Sequence, residues 1–136
     1  MNLNFKKISI IGLGLIGTSI LHAIKAKEED EVVTFAYDIN PKHRDIVLQM
    51  KIASFVCHDI QDAVSEADLV ILAVPVGAMK TVASLIAPFL KNNTVVTDTG
   101  STKGSVISDV NPYLSNNVYF IPSHPLAGTE YSGPKS

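Results

Sequence analysis

The apolar run Ile8-Ser9-Ile10-Ile11 leads straight into Gly12-Leu13-Gly14-Leu15-Ile16-Gly17, and an amphipathic stretch from Thr18 to Lys27 follows without a break. Strand, spaced glycines and helix in that order leave few folds open. The first glycine permits the tight turn, the second lets backbone approach a pyrophosphate, and the third brings helix against strand. The helix start adds unpaired N–H groups and a partial positive charge, which suit an anion. A βα turn that needs its glycines for packing alone is the competing reading. Asp38 favours the ligand-binding one. It closes a second apolar run, Val32 to Tyr37, about twenty residues beyond Gly17, where a carboxylate can accept hydrogen bonds from an adenosine ribose. A plain strand-end or helix-capping aspartate is the alternative for that position.

Short apolar runs alternate with helical stretches along the rest of the chain. Strands are expected over Lys6 to Ile11, Val32 to Tyr37, Phe55 to Cys57, Leu69 to Ala73, Thr94 to Thr97 and Val118 to Ile121. Several are apolar at consecutive positions, as parallel strands covered on both faces are. Helices are expected over Leu15 to Lys27, Pro41 to Met50, Ile60 to Val64, Gly77 to Leu90 and Lys103 to Tyr113, with Asn40 a cap before Pro41. This alternation predicts an α/β fold of the Rossmann type, a doubly wound and mainly parallel sheet with helices on both faces. Ligands are then expected at the carboxyl ends of the strands.

With 136 residues the chain holds one domain, 1–136, and the expectation is that it stops short of a complete dinucleotide fold, in a loop rich in Pro, Gly and Ser. Its net charge of −2 comes from 11 basic and 13 acidic side chains with no basic block, which speaks against nucleic acid or an anionic membrane as partner. The longest apolar run, Leu69 to Val74, is far short of the roughly 20 residues that span a bilayer, and Met1 to Lys7 lacks the apolar core of a signal peptide. A cytoplasmic location is expected. The single cysteine, Cys57, agrees with a reducing compartment and reads as a small strand-end filler. No metal site is expected.

Three loops leave strand ends on the side where the nicotinamide half of a dinucleotide would lie. They are Val74-Pro75-Val76, Asp98-Thr99-Gly100-Ser101-Thr102-Lys103-Gly104 and Ser123-His124-Pro125-Leu126-Ala127-Gly128-Thr129-Glu130. Pro75 ends its strand and frees backbone beside the cofactor, or is simply a breaker. Ser101 and Thr102 can cap the helix that follows. Of the four histidines only His124 falls where a reactive centre is expected, whereas His22, His43 and His58 read as structural or exposed. An imidazole can take or give a proton at working pH, which oxidation of a hydroxyl to a carbonyl requires.

These segments together resemble the nucleotide-binding domain of the prephenate/arogenate dehydrogenase family. The resemblance rests on Ile10 to Gly17, Ala67 to Val76, Thr97 to Gly104 and Ser123 to Pro134, so it spans nearly the whole chain. The first two pieces are shared by many nicotinamide enzymes; the last two together are specific. The resemblance implies NAD as cofactor and oxidative decarboxylation of prephenate to 4-hydroxyphenylpyruvate in tyrosine biosynthesis. It implies His124 as the catalytic base, Ser101 as its orienting partner, and Glu130 in an ion pair at the site mouth. Cofactor contacts would come from Gly12, Gly14, Leu15, Ile16, Gly17, Asp38, Val74 and Pro75. Asp38 favours NAD because its charge repels a 2′-phosphate, and Arg44 lies near enough in sequence to soften that repulsion. Thr18 stands where relatives often carry another glycine.

The family's C-terminal helical domain forms its homodimer and brings an arginine to the substrate carboxylate. Arg44, beside the adenosine end, is the only arginine here and is wrongly placed for that clamp. The isolated chain is therefore expected to bind cofactor without turnover. Arogenate as substrate, and a non-catalytic NAD-binding module, are the alternatives. A reductase of the β-hydroxyacid or imine type would share the fold and Val74-Pro75-Val76, but takes its proton-transfer lysine from a later helix.

Overall fold

The computed structural model describes residues 5–27, 31–99, 110–115 and 117–121. Within them the strands are β1 (Lys7–Ile11), β2 (Val33–Tyr37), β3 (Phe55–Val56), β4 (Leu69–Leu72), β5 (Val95–Asp98) and β6 (Tyr119–Phe120). The helices are α1 (Leu15–Ala26), α2 (Pro41–Met50), α3 (Ile60–Val64) and α4 (Met79–Ile86). The strands form one sheet in the order β3-β2-β1-β4-β5-β6, and every pairing is parallel. The chain moves outward from β1 to β3, then returns to the other side of β1 for β4. That reversal between β1 and β4 opens a crevice at the strands' carboxyl ends.

Strand alternation divides the core between the two faces. Ile10 of β1 and Ala36 of β2 pack with Leu21 of α1 and Val47 of α2 on one face. Ile11 of β1, Val70 and Leu72 of β4 and Val96 of β5 pack with Val64 of α3 and with Met79, Ala83 and Ile86 of α4 on the other. The sheet is thus covered twice, which is why its strands are apolar at successive positions. The expected doubly wound architecture is the one observed.

Three expectations need correction. The stretch read as one helix from Gly77 to Leu90 is a 3-10 turn at Val76–Ala78, then α4, then a second 3-10 turn at Ala87–Phe89. Pro88 ends the helix by lacking an N–H and crowding the preceding turn. The strand read from Thr94 to Thr97 lies one residue later, because the Thr94 hydroxyl donates to the Lys91 and Ala67 carbonyls and its N–H closes a turn onto Lys91. Of the helix read from Lys103 to Tyr113, residues 103–109 lie outside the described residues, and Asn111–Tyr113 forms a 3-10 turn. No helix among the described residues is long and apolar enough to cross a membrane.

Candidate functional site

The glycines of the β1–α1 turn do different work. Gly12 has φ +106°, and a Cβ there would lie 2.5 Å from the Ala73 carbonyl oxygen and 3.1 Å from Val74 Cγ1. It therefore both turns the chain and lets β1 pass close to the end of β4. A Cβ on Gly17 would collide with the Gly12 carbonyl, so α1 meets its own strand by backbone alone. At Gly14 a Cβ would touch nothing within 4 Å. Packing does not require glycine at that position, and the backbone there is open to an approaching group.

Gly14 is also the N-cap of α1, and no side chain caps the helix. The first turn carries no acidic residue, so neither a hydroxyl nor a carboxylate quenches the positive end of the helix. Thr18 sends its hydroxyl to the Gly14 carbonyl at 2.6 Å, away from the first-turn N–H groups. Leu15 and Ile16, both large and apolar, are left exposed there. Thr18 thus serves in place of another glycine without filling the turn.

Asp38 follows β2 and points back at this turn. Its Oδ2 accepts from Leu13 N at 2.7 Å and sits 3.1 Å from His43 Nδ1, while Oδ1 accepts from Asn40 N at 2.8 Å. Burial opposes the charge, but the N–H groups of Asn40 and Leu13, together with His43, outweigh it and hold the carboxyl below its usual range. Asn40 also caps α2 by accepting from Lys42 N, with Pro41 at the first helical position. Ile39, next to Asp38, is 82% exposed. Arg44 turns away from the carboxylate: Nη1 donates to the Asp38 carbonyl at 2.8 Å and the guanidinium lies 5.7 Å from the Tyr37 ring centroid.

The remaining strand ends complete this side. Val74 is partly buried against the core, and exposed Pro75 accepts from Ala78 N at 2.8 Å to start the 3-10 turn. Asp98 ends β5 buried beside Leu72 of β4, and Thr99 N donates to the Leu72 carbonyl at 3.1 Å. The fold brings Gly12, Gly14, Gly17, Asp38 and Val74 together at the carboxyl ends of β1, β2 and β4, with Leu15 and Ile16 exposed beside them. Ser101, His124 and Glu130 lie outside the described residues. His43 is the participant that the sequence reading passed over. Its signal was the Asn40-Pro41 cap, which fixes the first turn of α2 directly after Asp38. Among the described residues no group of three or more His, Cys, Asp or Glu is placed to hold a metal ion.

An all-parallel sheet reversing at β1, a glycine turn closed by packing at both ends and open in the middle, and an uncapped helix beyond it define a Rossmann nucleotide-binding domain. The family described as "Prephenate dehydrogenase, nucleotide-binding domain" matches residues 21–136, and the chain belongs to it. It is 51% identical over 130 residues to the cyclohexadienyl dehydrogenase of Zymomonas mobilis, covering 96% of this chain and 44% of that protein. It is 38% identical over 133 residues to the prephenate dehydrogenase of Lactococcus lactis, covering 94% of this chain and 36% of that one. Among solved structures, prephenate dehydrogenase from A. aeolicus in complex with hydroxyphenyl propionate and NAD+ superposes with a TM-score of 0.78 at 27% identity, covering 96% of this chain and 45% of that one. The chain thus spans less than half the length of these relatives.

Proposed function

We propose that this chain is the NAD-binding and proton-transferring part of a dehydrogenase that oxidatively decarboxylates prephenate to 4-hydroxyphenylpyruvate. The observation that carries the cofactor half is Gly14, glycine where the protein's own packing leaves room for a side chain, at the mouth of an uncapped helix. The N–H groups of Leu15 and Ile16 would hold the pyrophosphate. Asp38 would take an adenosine ribose hydroxyl, and Val74 and Pro75 would border the nicotinamide side of the crevice. These residues fit a dinucleotide, and the A. aeolicus relative was crystallised with NAD+.

Bound NAD+ supplies the acceptor for hydride leaving the carbon that bears the substrate's hydroxyl. In this reading His124 accepts the hydroxyl proton as the hydride departs, and the ring carboxylate leaves as carbon dioxide while the ring becomes aromatic. Ser101 orients His124 or the hydroxyl. The pathway implied is tyrosine biosynthesis.

The test is calorimetric titration of the chain with NAD, followed by an assay of NADH formation from prephenate. The assay is run alone and with the remaining part of the Z. mobilis relative supplied as a separate polypeptide. NAD binding, turnover only on complementation, and loss of that turnover in His124→Ala are the expected results. The competing reading is a binding module without chemistry. NAD binding with no rescue would select it. Arogenate supplied in place of prephenate decides between the two substrates.

A further inference from the structure

We propose that His43 sets the choice between NAD and NADP, and makes that choice depend on pH. The inference rests on the dinucleotide reading above and concerns the adenosine end of the same crevice. A carboxylate offers about four acceptor positions. Three on Asp38 are already taken, by Leu13 N and His43 Nδ1 on Oδ2 and by Asn40 N on Oδ1. One remains for a ribose hydroxyl, so Asp38 discriminates chiefly by its charge. The side chain best placed to cancel that charge is His43, 3.1 Å away, with Asp38 only 13% exposed and His43 43% exposed.

An ionised carboxylate can only accept, so Nδ1 carries the proton and Nε2 keeps its lone pair while the ring is neutral. In that state the site is a net anion with an added lone pair, which opposes a 2′-phosphate. Protonation reverses both features: the pair becomes neutral overall, and Nε2 becomes a charged donor. The same helix carries other charged side chains. They are Lys42, Arg44 and Asp45 along α2, and Arg44 is committed to the Asp38 carbonyl and the Tyr37 ring. The glycine turn brings no charged side chain, only the Leu13 N–H. Asp38 itself stays ionised, since its carboxyl is held low.

The experiment measures dissociation constants for NAD and for NADP at about pH 5.5 and 8, across the range in which imidazoles change charge, in this chain and in His43→Gln. Glutamine retains a neutral donor and removes the titration. The 2′-phosphate gains a proton near pH 6, which by itself weakens NADP as pH falls and so works against the proposed effect. The expected result is that affinity for NADP relative to NAD rises about tenfold on acidification, within the ordinary range for coupled sites, and that His43→Gln abolishes or inverts the rise. A ratio that is flat or falls in the unsubstituted chain overturns the proposal, as does an equal rise in His43→Gln. Binding of NAD with an unchanged ratio overturns this proposal alone. Binding of neither dinucleotide at either pH overturns the dinucleotide reading and this proposal with it.

Discussion

Single residues carry the division between what folds this domain and what it binds. Gly17→Ala forces a Cβ into the Gly12 carbonyl, which backbone cannot relieve cheaply. A loss of about 3 kcal/mol or more in a denaturant titration is expected, at the upper end of overpacking. Gly14→Ala meets open space. Its stability should stay within about 0.5 kcal/mol of the parent, while affinity for NAD in a calorimetric titration drops at least about tenfold, the equivalent of roughly 1.4 kcal/mol. Equal stability losses at the two glycines would contradict the assignment. The fingerprint and the work of each glycine were readable from the order of strand, turn and helix, whereas spacing could not say how near a Cβ at each position would come to the protein's own atoms. The same limit hid His43, whose proximity to Asp38 depends on how the first turn of α2 folds back over β2.

Whole elements were legible where hydrophobic period and punctuation agreed. Asn40-Pro41 fixed the start of α2, and the apolar runs located all six strands, each within a residue of its end. One element was misread because apolar periodicity ran past a proline: α4 stops before Pro88 although Phe89 and Leu90 continue the pattern and still pack on the core. The end of α2 offers a check on element energetics. Lys51 occupies the left-handed region at φ 57°, where its N–H closes the helix onto the Val47 and Leu48 carbonyls. A helix closed this way usually ends in glycine, which has no Cβ to strain. Lys51→Gly is expected to raise the thermal midpoint, through a gain of about 0.5–1 kcal/mol; a lowered midpoint would mean that the lysine's stem contributes more than its backbone costs.

Across the whole molecule, β1 is tied to its two neighbouring strands, at opposite ends, by two aspartates. Asp38 binds the glycine turn at the carboxyl ends. Asp68, at the start of β4, accepts from the N–H groups of Lys6 and Lys7 before and in β1, and from Lys91 Nζ at 2.8 Å. Burial opposes the charge of Asp68 too, but Lys91 and the two N–H groups outweigh it and hold the carboxyl below its usual range. A folded pKa below the unfolded one means stabilisation present above about pH 4 and lost as pH falls through the lowered value. Asp68→Asn should therefore cost about 1 kcal/mol at neutral pH, discounted because Lys91 is partly exposed. It should also flatten the decline in stability between about pH 5 and 2 measured by denaturant titration. An unchanged acid decline would remove Asp68 from that account. Fold class was readable from the alternation of elements, since a strand, helix and strand repeated in order allows few arrangements. The contacts of the two aspartates were not, because they join residues far apart in sequence.

The central claim is that the β1–α1 turn is built to receive an anion, the dinucleotide's pyrophosphate, over Gly14. A crystal structure of this chain with NAD tests it most directly. The account predicts pyrophosphate oxygens about 3 Å from the backbone nitrogens of Leu15 and Ile16 and an adenosine ribose hydroxyl on Asp38 Oδ1. NAD seated elsewhere, or a pyrophosphate that leaves those nitrogens without a hydrogen-bond partner, would contradict it.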